Sequence, residues 1–117
     1  RQKNAKLFQS LFVNHPYITI QQETGQSSWF GFSLVLKKNS PYTRAALVKK
    51  LTENGVECRP IVTGNFLKNS EVLEYFDYEV GSSMEAAEYI EEHGLFVGNH
   101  QNDIEQEIRL LDKVLTP

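Results

Sequence analysis

An α+β fold, a small and mostly antiparallel sheet with helices packed on one face, is what this sequence predicts, and three features predict it. Residues 29–36 alternate their side chains with the two-residue period of a strand. Residues 3–12, 40–54 and 102–115 instead carry apolar side chains at helical spacing. The elements follow one another as helix, strand, strand, helix, strand, helix, strand, helix, the order of one small sheet with its helical mass on one side.

The first helix places Ala5, Phe8, Leu11 and Phe12 on one stripe and Lys3, Lys6 and Gln9 off it. Asn14-His15-Pro16 ends it, because the residue before a proline is pushed out of the helical region. Residues 17–20, rich in aromatic and branched side chains, form a short strand. Residues 21–27 carry glycine, glutamines and serines without apolar period and form a loop. In the strand at 29–36, Phe30, Phe32, Leu34 and Leu36 share the core face, while Trp29, Gly31, Ser33 and Val35 share the other. A loop of this length joins the two strands as an antiparallel hairpin, and Gly31 marks the close approach of a neighbouring backbone.

Asn39-Ser40-Pro41 is a turn in which Ser40 caps a helix and Pro41 takes the first helical position, where its missing N–H costs little. Leu47, Val48 and Leu51 are the buried stripe of that helix, and Gly55 supplies its left-handed end. Residues 56–62 form the next strand. Residues 70–76 suit a short helix followed by an irregular connection. Ser82 or Ser83 caps another helix, Ser82 with Glu85 having the capping-box spacing, with Ala86, Ala87 and Ile90 facing inward until Gly94 ends it. Residues 95–97 form a strand. The last helix opens at Asn102, with Glu105 three residues on, and carries Ile104, Ile108, Leu111 and Leu115 on one stripe. The second sheet face, with Trp29, Ser33 and Arg59, is left uncovered.

At 117 residues and 13.4 kDa the chain is of single-domain size, with room for one modest core. A net charge of −3 and a pI near 5.6 give no broad positive field for a nucleic acid. No apolar run approaches the roughly 20 residues of a membrane helix, and the polar start does not resemble a signal peptide, so no membrane partner and a cytoplasmic location are expected. A single cysteine, Cys58, excludes an internal disulfide and a multi-cysteine zinc site; it reads as a buried strand residue rather than a nucleophile. The three histidines are scattered, so no metal site is expected. Glu91 and Glu92 fall on a helix surface and read as solvated. The first residues lie inside a helical pattern with no initiator methionine and no cap, which predicts one domain, residues 1–117, of a longer chain.

Three stretches, in their order and spacing, carry a family resemblance: Ser28-Trp29-Phe30-Gly31-Phe32-Ser33; the helix from Arg44 with its exit Asn54-Gly55-Val56-Glu57-Cys58-Arg59-Pro60; and Gly94-Leu95-Phe96-Val97-Gly98-Asn99 before the final helix. Over residues 4–115 the chain resembles the C-terminal small domain of the sugar-nucleotide aminotransferase and dehydrase family, pyridoxal-phosphate enzymes of the aspartate-aminotransferase fold type. Thr63-Gly64-Asn65 followed by Phe66-Leu67-Lys68-Asn69, and Phe96-Val97-Gly98-Asn99, look more like the 4-keto-6-deoxyhexose 3-dehydrase branch than the ordinary aminotransferases. The resemblance implies a homodimeric parent enzyme of nucleotide-sugar metabolism, in lipopolysaccharide or cell-surface polysaccharide biosynthesis. It would use pyridoxal phosphate or pyridoxamine phosphate held mainly by a large N-terminal domain. The cofactor-linking lysine, or the histidine that replaces it in dehydrases, would lie in that domain. No catalytic residue is therefore assigned here, and the piece alone is expected to be inactive.

What this domain would contribute is a wall of the substrate cleft, from four candidate substrate-binding residues. Arg59 has the planar fork that suits phosphate and sugar oxygens, or else serves in a salt bridge. Thr63 and Asn65 flank a glycine whose bare backbone can approach a ligand, or else they are simply what the turn needs. His100, just before the last helix, brings a titratable ring to the same cleft, or is merely exposed. His15 and His93 read as structural, and Trp29 as core or domain interface rather than a stacking platform. A reading from another class remains: a free-standing α+β binding or interaction module that uses the open sheet face.

Overall fold

Four strands pair in the order β1-β2-β4-β3, every pair antiparallel, in a computed structural model that describes residues 1–61 and 63–117. The strands are β1 (Ile18–Ile20), β2 (Gly31–Leu36), β3 (Cys58–Arg59) and β4 (Gly94–Gly98). The helices are α1 (Gln2–Phe12), α2 (Arg44–Glu53), the single turn α3 (Ser70–Leu73), α4 (Glu85–His93) and α5 (Glu105–Leu115), with a 3-10 turn at Phe66–Lys68. The α+β class, the antiparallel hairpin of the first two strands and the helices over one face are all as the sequence predicts.

Register decides which side chains share a face. Ile18 lies opposite Leu36, Leu34 opposite Leu95, and Val97 opposite both Phe32 and Cys58. Against this face α1 lays Ala5, Phe8 and Phe12, α2 lays Leu47 and Leu51, and α5 lays Ile108, Leu111 and Leu115, all buried in one cluster. Phe8 stacks on Phe32 with 4.1 Å between ring centroids, close enough to exclude any water layer.

The alternation expected from Trp29 onward fails at its first two residues. Trp29 has a φ of +51°, in the left-handed region, so the strand begins only at Gly31 and the side chains before it are turned over. Trp29 is thus in the core at 2% exposure, its indole N–H donating to Glu23 Oε1 at 3.1 Å, while Phe30 is 69% exposed. Phe30 instead stacks on Phe96 across the second face, 5.7 Å between centroids. Gly31 does mark a close approach, but by that Phe96 ring rather than by a backbone: a Cβ on Gly31 would lie 2.1 Å from Phe96 Cζ. Ser33 and Arg59 lie on the second face as expected, with Phe30 in the place given to Trp29.

Helix starts were the least legible features. Thr43, not Ser40, caps α2, its Oγ1 accepting the Ala46 N–H at 3.2 Å, because the Ser40 hydroxyl is already spent on the Tyr42 N–H. No side chain caps α4; Ser83 Oγ reaches only the Glu85 N–H, at 3.4 Å. Ala86 and Ile90 are exposed rather than inward, and α4 is tied down through Ala87 and through Tyr89, whose hydroxyl donates to the Leu36 carbonyl at 2.7 Å. The last helix has its N-cap at Ile104, two residues later than the expected Asn102, with Asp103 Oδ1 taking the Glu105 N–H. At the other end of α2, Gly55 does adopt the left-handed conformation, φ +76°. The strand expected at 56–62 is ordered as strand only at Cys58–Arg59, and Val62 lies outside the described residues. The helix expected at 70–76 is the one turn of α3.

Candidate functional site

The candidate site residues fall into two groups at opposite ends of the β3–β4 pair. Arg59 ends β3 opposite Phe96, largely exposed, with its guanidinium on Glu57 Oε1 at 3.0 Å. From there the chain turns across the start of β4, where Ile61 packs on Gly94, and reaches Thr63, Gly64 and Asn65 against α4. Thr63 is exposed with a φ of +75°, a conformation in which a β-branched residue is strained. Asn65 is buried at 4% exposure, and its Oδ1 caps the 3-10 turn by accepting the Leu67 N–H at 3.1 Å.

Under this turn lies Glu91 of α4, which the sequence reading left to solvent. A Cβ on Gly64, φ +54°, would stand 2.9 Å from Glu91 Cγ, so the turn rests directly on that side chain. Lys68 Nζ meets Glu91 Oε2 at 2.6 Å, and Arg44 donates to the Glu91 carbonyl. The Lys68 ammonium, helped by the Asn65 backbone amide and Arg44, holds the Glu91 carboxyl below the usual carboxylate range.

His100 stands at the far end of β4. It borders a pocket of about 330 Å3 with an apolar floor that includes Val97, Ile108 and Leu111 and a polar rim of Glu57 and Glu107. Its Nδ1 accepts the Asn102 N–H at 3.1 Å, leaving the proton on Nε2. The loop that carries it is stitched to α1 by Asn4, whose buried amide donates to the carbonyls of His100 and Asn102 at 3.0 and 2.8 Å. Asn99 in turn donates to the Trp29 carbonyl at 2.8 Å. The sequence reading missed both Asn4 and Glu91: Asn4 lies four and eight residues ahead of Phe8 and Phe12, a spacing that would have put it on the buried stripe, whereas nothing local marks the contact of Glu91 with Lys68. Arg59, Thr63 and Asn65 are thus neighbours along one segment, and His100 is not among them.

The other chemical candidates are occupied structurally. His15 is buried, its Nδ1 accepting the Tyr17 N–H at 3.2 Å, and desolvation lowers its pKa. Burial pushes the half-buried Cys58 thiol up, away from the thiolate a nucleophile needs. Among the described residues no group of three or more histidine, cysteine or acidic side chains is gathered to hold a metal, and no helix is long and apolar enough to cross a membrane. Nor do Lys3 and Lys68 fit a carbonyl cofactor. Lys3 on Asp103 and Lys68 on Glu91 both have their pKa raised by those hydrogen bonds, the opposite of what an amine must have to attack an aldehyde.

The model of the DegT/DnrJ/EryC1/StrS aminotransferase family matches residues 1–109. The chain belongs to that family. Among its relatives in the DegT/DnrJ/EryC1/StrS family is the GDP-4-keto-6-deoxy-D-mannose 3-dehydratase of Yersinia pseudotuberculosis, 64% identical over 115 residues, which are 98% of this chain and 29% of that protein. The enzyme of the same description from Escherichia coli O55:H7 (strain CB9615 / EPEC) is 56% identical over 98% of this chain and 30% of its own length. A solved structure of E. coli GDP-4-keto-6-deoxy-D-mannose-3-dehydratase with bound hydrated PLP superposes with a TM-score of 0.93, 56% identity, and coverage of 98% of this chain and 30% of that one. The aminotransferase TlmJ from Streptoalloteichus hindustanus, 15% identical with a TM-score of 0.70 over 97% of this chain and 29% of its own, shares the fold. The chain therefore spans about 30% of the length of the curated relatives it matches, and the matched part is their C-terminal part.

Proposed function

We propose that this chain is the C-terminal domain of a pyridoxal-phosphate-dependent GDP-4-keto-6-deoxy-D-mannose 3-dehydratase and forms one wall of its sugar-nucleotide cleft. The observation that carries this is the 64% identity to the Yersinia enzyme across nearly the whole chain. The dehydratase relatives favour the dehydrase branch of the family over its aminotransferases. The cofactor belongs to the remaining part of the protein, which this chain does not cover; Lys3, Lys37, Lys50 and Lys68 are already ion-paired or hydrogen-bonded here. When bound there it supplies an electron sink; this domain's share is contact and orientation. Arg59 presents an exposed guanidinium, and Thr63 an exposed hydroxyl on a strained turn, both suited to a phosphate or sugar oxygen. Asn65, buried and capping the 3-10 turn, serves the wall by holding that turn rather than by an exposed contact, and His100 donates from Nε2 at the other end of β4. A cytoplasmic homodimer serving cell-surface polysaccharide synthesis fits this substrate class.

The test is turnover by the full-length protein. With pyridoxamine phosphate, or with pyridoxal phosphate and an amino-acid amino donor, it is expected to consume GDP-4-keto-6-deoxy-D-mannose, followed by chromatography of the GDP-sugars. The isolated 117-residue chain is expected to do neither this nor show a saturable cofactor absorbance band. A full-length protein inert toward this substrate but active on another keto-sugar would refute the substrate; a lysine-dependent cofactor band in the isolated chain would refute the division of labour.

A further inference from the structure

Thr63 is held in a conformation its side chain disfavours, and strain of this kind persists only where the surroundings over-determine it. The surroundings are on two sides. Asn65 caps the 3-10 turn that follows, and Glu91 lies beneath Gly64, with 2.9 Å between Glu91 Cγ and the place where a Cβ on Gly64 would stand. Glu91 is itself pinned twice, its carboxylate by Lys68 at 2.6 Å and its carbonyl by the Arg44 guanidinium. We propose that Glu91 is the positioning residue of the turn at 63–65: its side chain is the bed that fixes where Thr63 stands. The proposal rests on the reading that Thr63, with Arg59 beside it on the cleft wall, meets the sugar nucleotide.

Glu91 belongs to α4, which contributes no fully buried side chain, and its own side chain is 29% exposed. Shortening it therefore removes little from the core, whereas it takes away the surface on which the turn rests. The consequence falls on substrate contact rather than on folding, since displacement of a binding group by about 1 Å is enough to cost up to ~100-fold in rate.

The experiment compares E91A, E91Q and R59A in the full-length protein, reading KM and kcat for GDP-4-keto-6-deoxy-D-mannose and the melting temperature. E91A is expected to lower kcat/KM about tenfold or more, chiefly through KM, with the melting temperature moved by no more than ~3 °C. E91Q, which keeps the bed and drops the charge, is expected to stay within about threefold of the wild type. E91A with normal kinetics beside an impaired R59A overturns the positioning role and leaves the cleft wall standing. R59A with normal kinetics overturns the wall, and the proposal with it. E91Q as impaired as E91A would mean that the charge, not the bed, is what matters, and would also overturn it. Should E91A not fold, E91D keeps the charge, draws the carboxylate back by one methylene and gives the same comparison.

Discussion

Replacing Gly31 by alanine puts a methyl group where the Phe96 ring already lies. The new Cβ would stand 2.1 Å from Phe96 Cζ and 2.6 Å from Cε2, so the ring must leave. Gly31 is not in the left-handed region, so alanine is tolerated by the backbone, and its reduced freedom in the unfolded chain favours the variant by about 0.4–1 kcal/mol. Against this, Phe96 loses its stack on Phe30, worth about 0.5–1.5 kcal/mol, and the crowded strand distorts at a cost of about 1–3 kcal/mol. The balance is a loss of about 2 kcal/mol, or ~8 °C in melting temperature for a domain of this size. The assay is a double-mutant cycle by urea denaturation with F96A. Once the ring is gone the clash is gone, and G31A in the F96A background is expected to be neutral or slightly stabilising. Equal destabilisation in both backgrounds, or no destabilisation in the wild type, would refute the account of why a glycine stands here.

Leu111, 3% exposed on the buried face of α5, is expected to cost about 2–5 kcal/mol on truncation to alanine, read from denaturant melts; a loss under ~1 kcal/mol would remove it from the core. T63G relieves the left-handed strain and is expected to raise stability by about 1 kcal/mol in the same melts. In the full-length protein it should lower kcat/KM if the hydroxyl meets substrate, and an unchanged melting midpoint would mean that no strain is stored there. His15 is buried with its pKa held below the ordinary histidine value, first by desolvation. The unfolded chain then binds the proton more readily, so this contribution is fully present above the unfolded pKa of about 6.5 and is lost as pH falls from there through the lower folded value. Melts between pH 7.5 and 5.5 should show the loss in the wild type and a flatter profile in His15→Asn; parallel profiles would contradict it.

The site divides in the same way between what was and was not legible. Arg59, Thr63 and Asn65 stood out as polar groups around a glycine at the end of an apolar run, each with a structural use beside the ligand-facing one; the structure keeps them along one segment, with Arg59 on Glu57 and Asn65 capping the turn. His100 stood out for its chemistry, yet β4 separates it from them, since the β3–β4 register sets Cys58 against Val97 and carries the chain away from the Gly98 end. Glu91 looked like one of two solvated glutamates, and only the fold brings Gly64 and Lys68 onto it.

By itself the sequence determined the order and type of the elements, the faces of α1 and α5, the left-handed glycine after α2 and the family. These depend on backbone geometry that repeats within a turn or two, or on motifs carried whole in one stretch. Only the tertiary structure decided that Trp29 turns inward and Phe30 outward, that an aromatic ring rather than a backbone crowds Gly31, that Thr43 takes the cap Ser40 was suited for, and that Asn4 fastens a loop about a hundred residues away in the chain. Each of these is a choice between local conformations of similar energy. For the cap, competing bonds two and three residues apart settle it; for the others, contacts between residues farther apart do, and these exist only after the loops between them have closed.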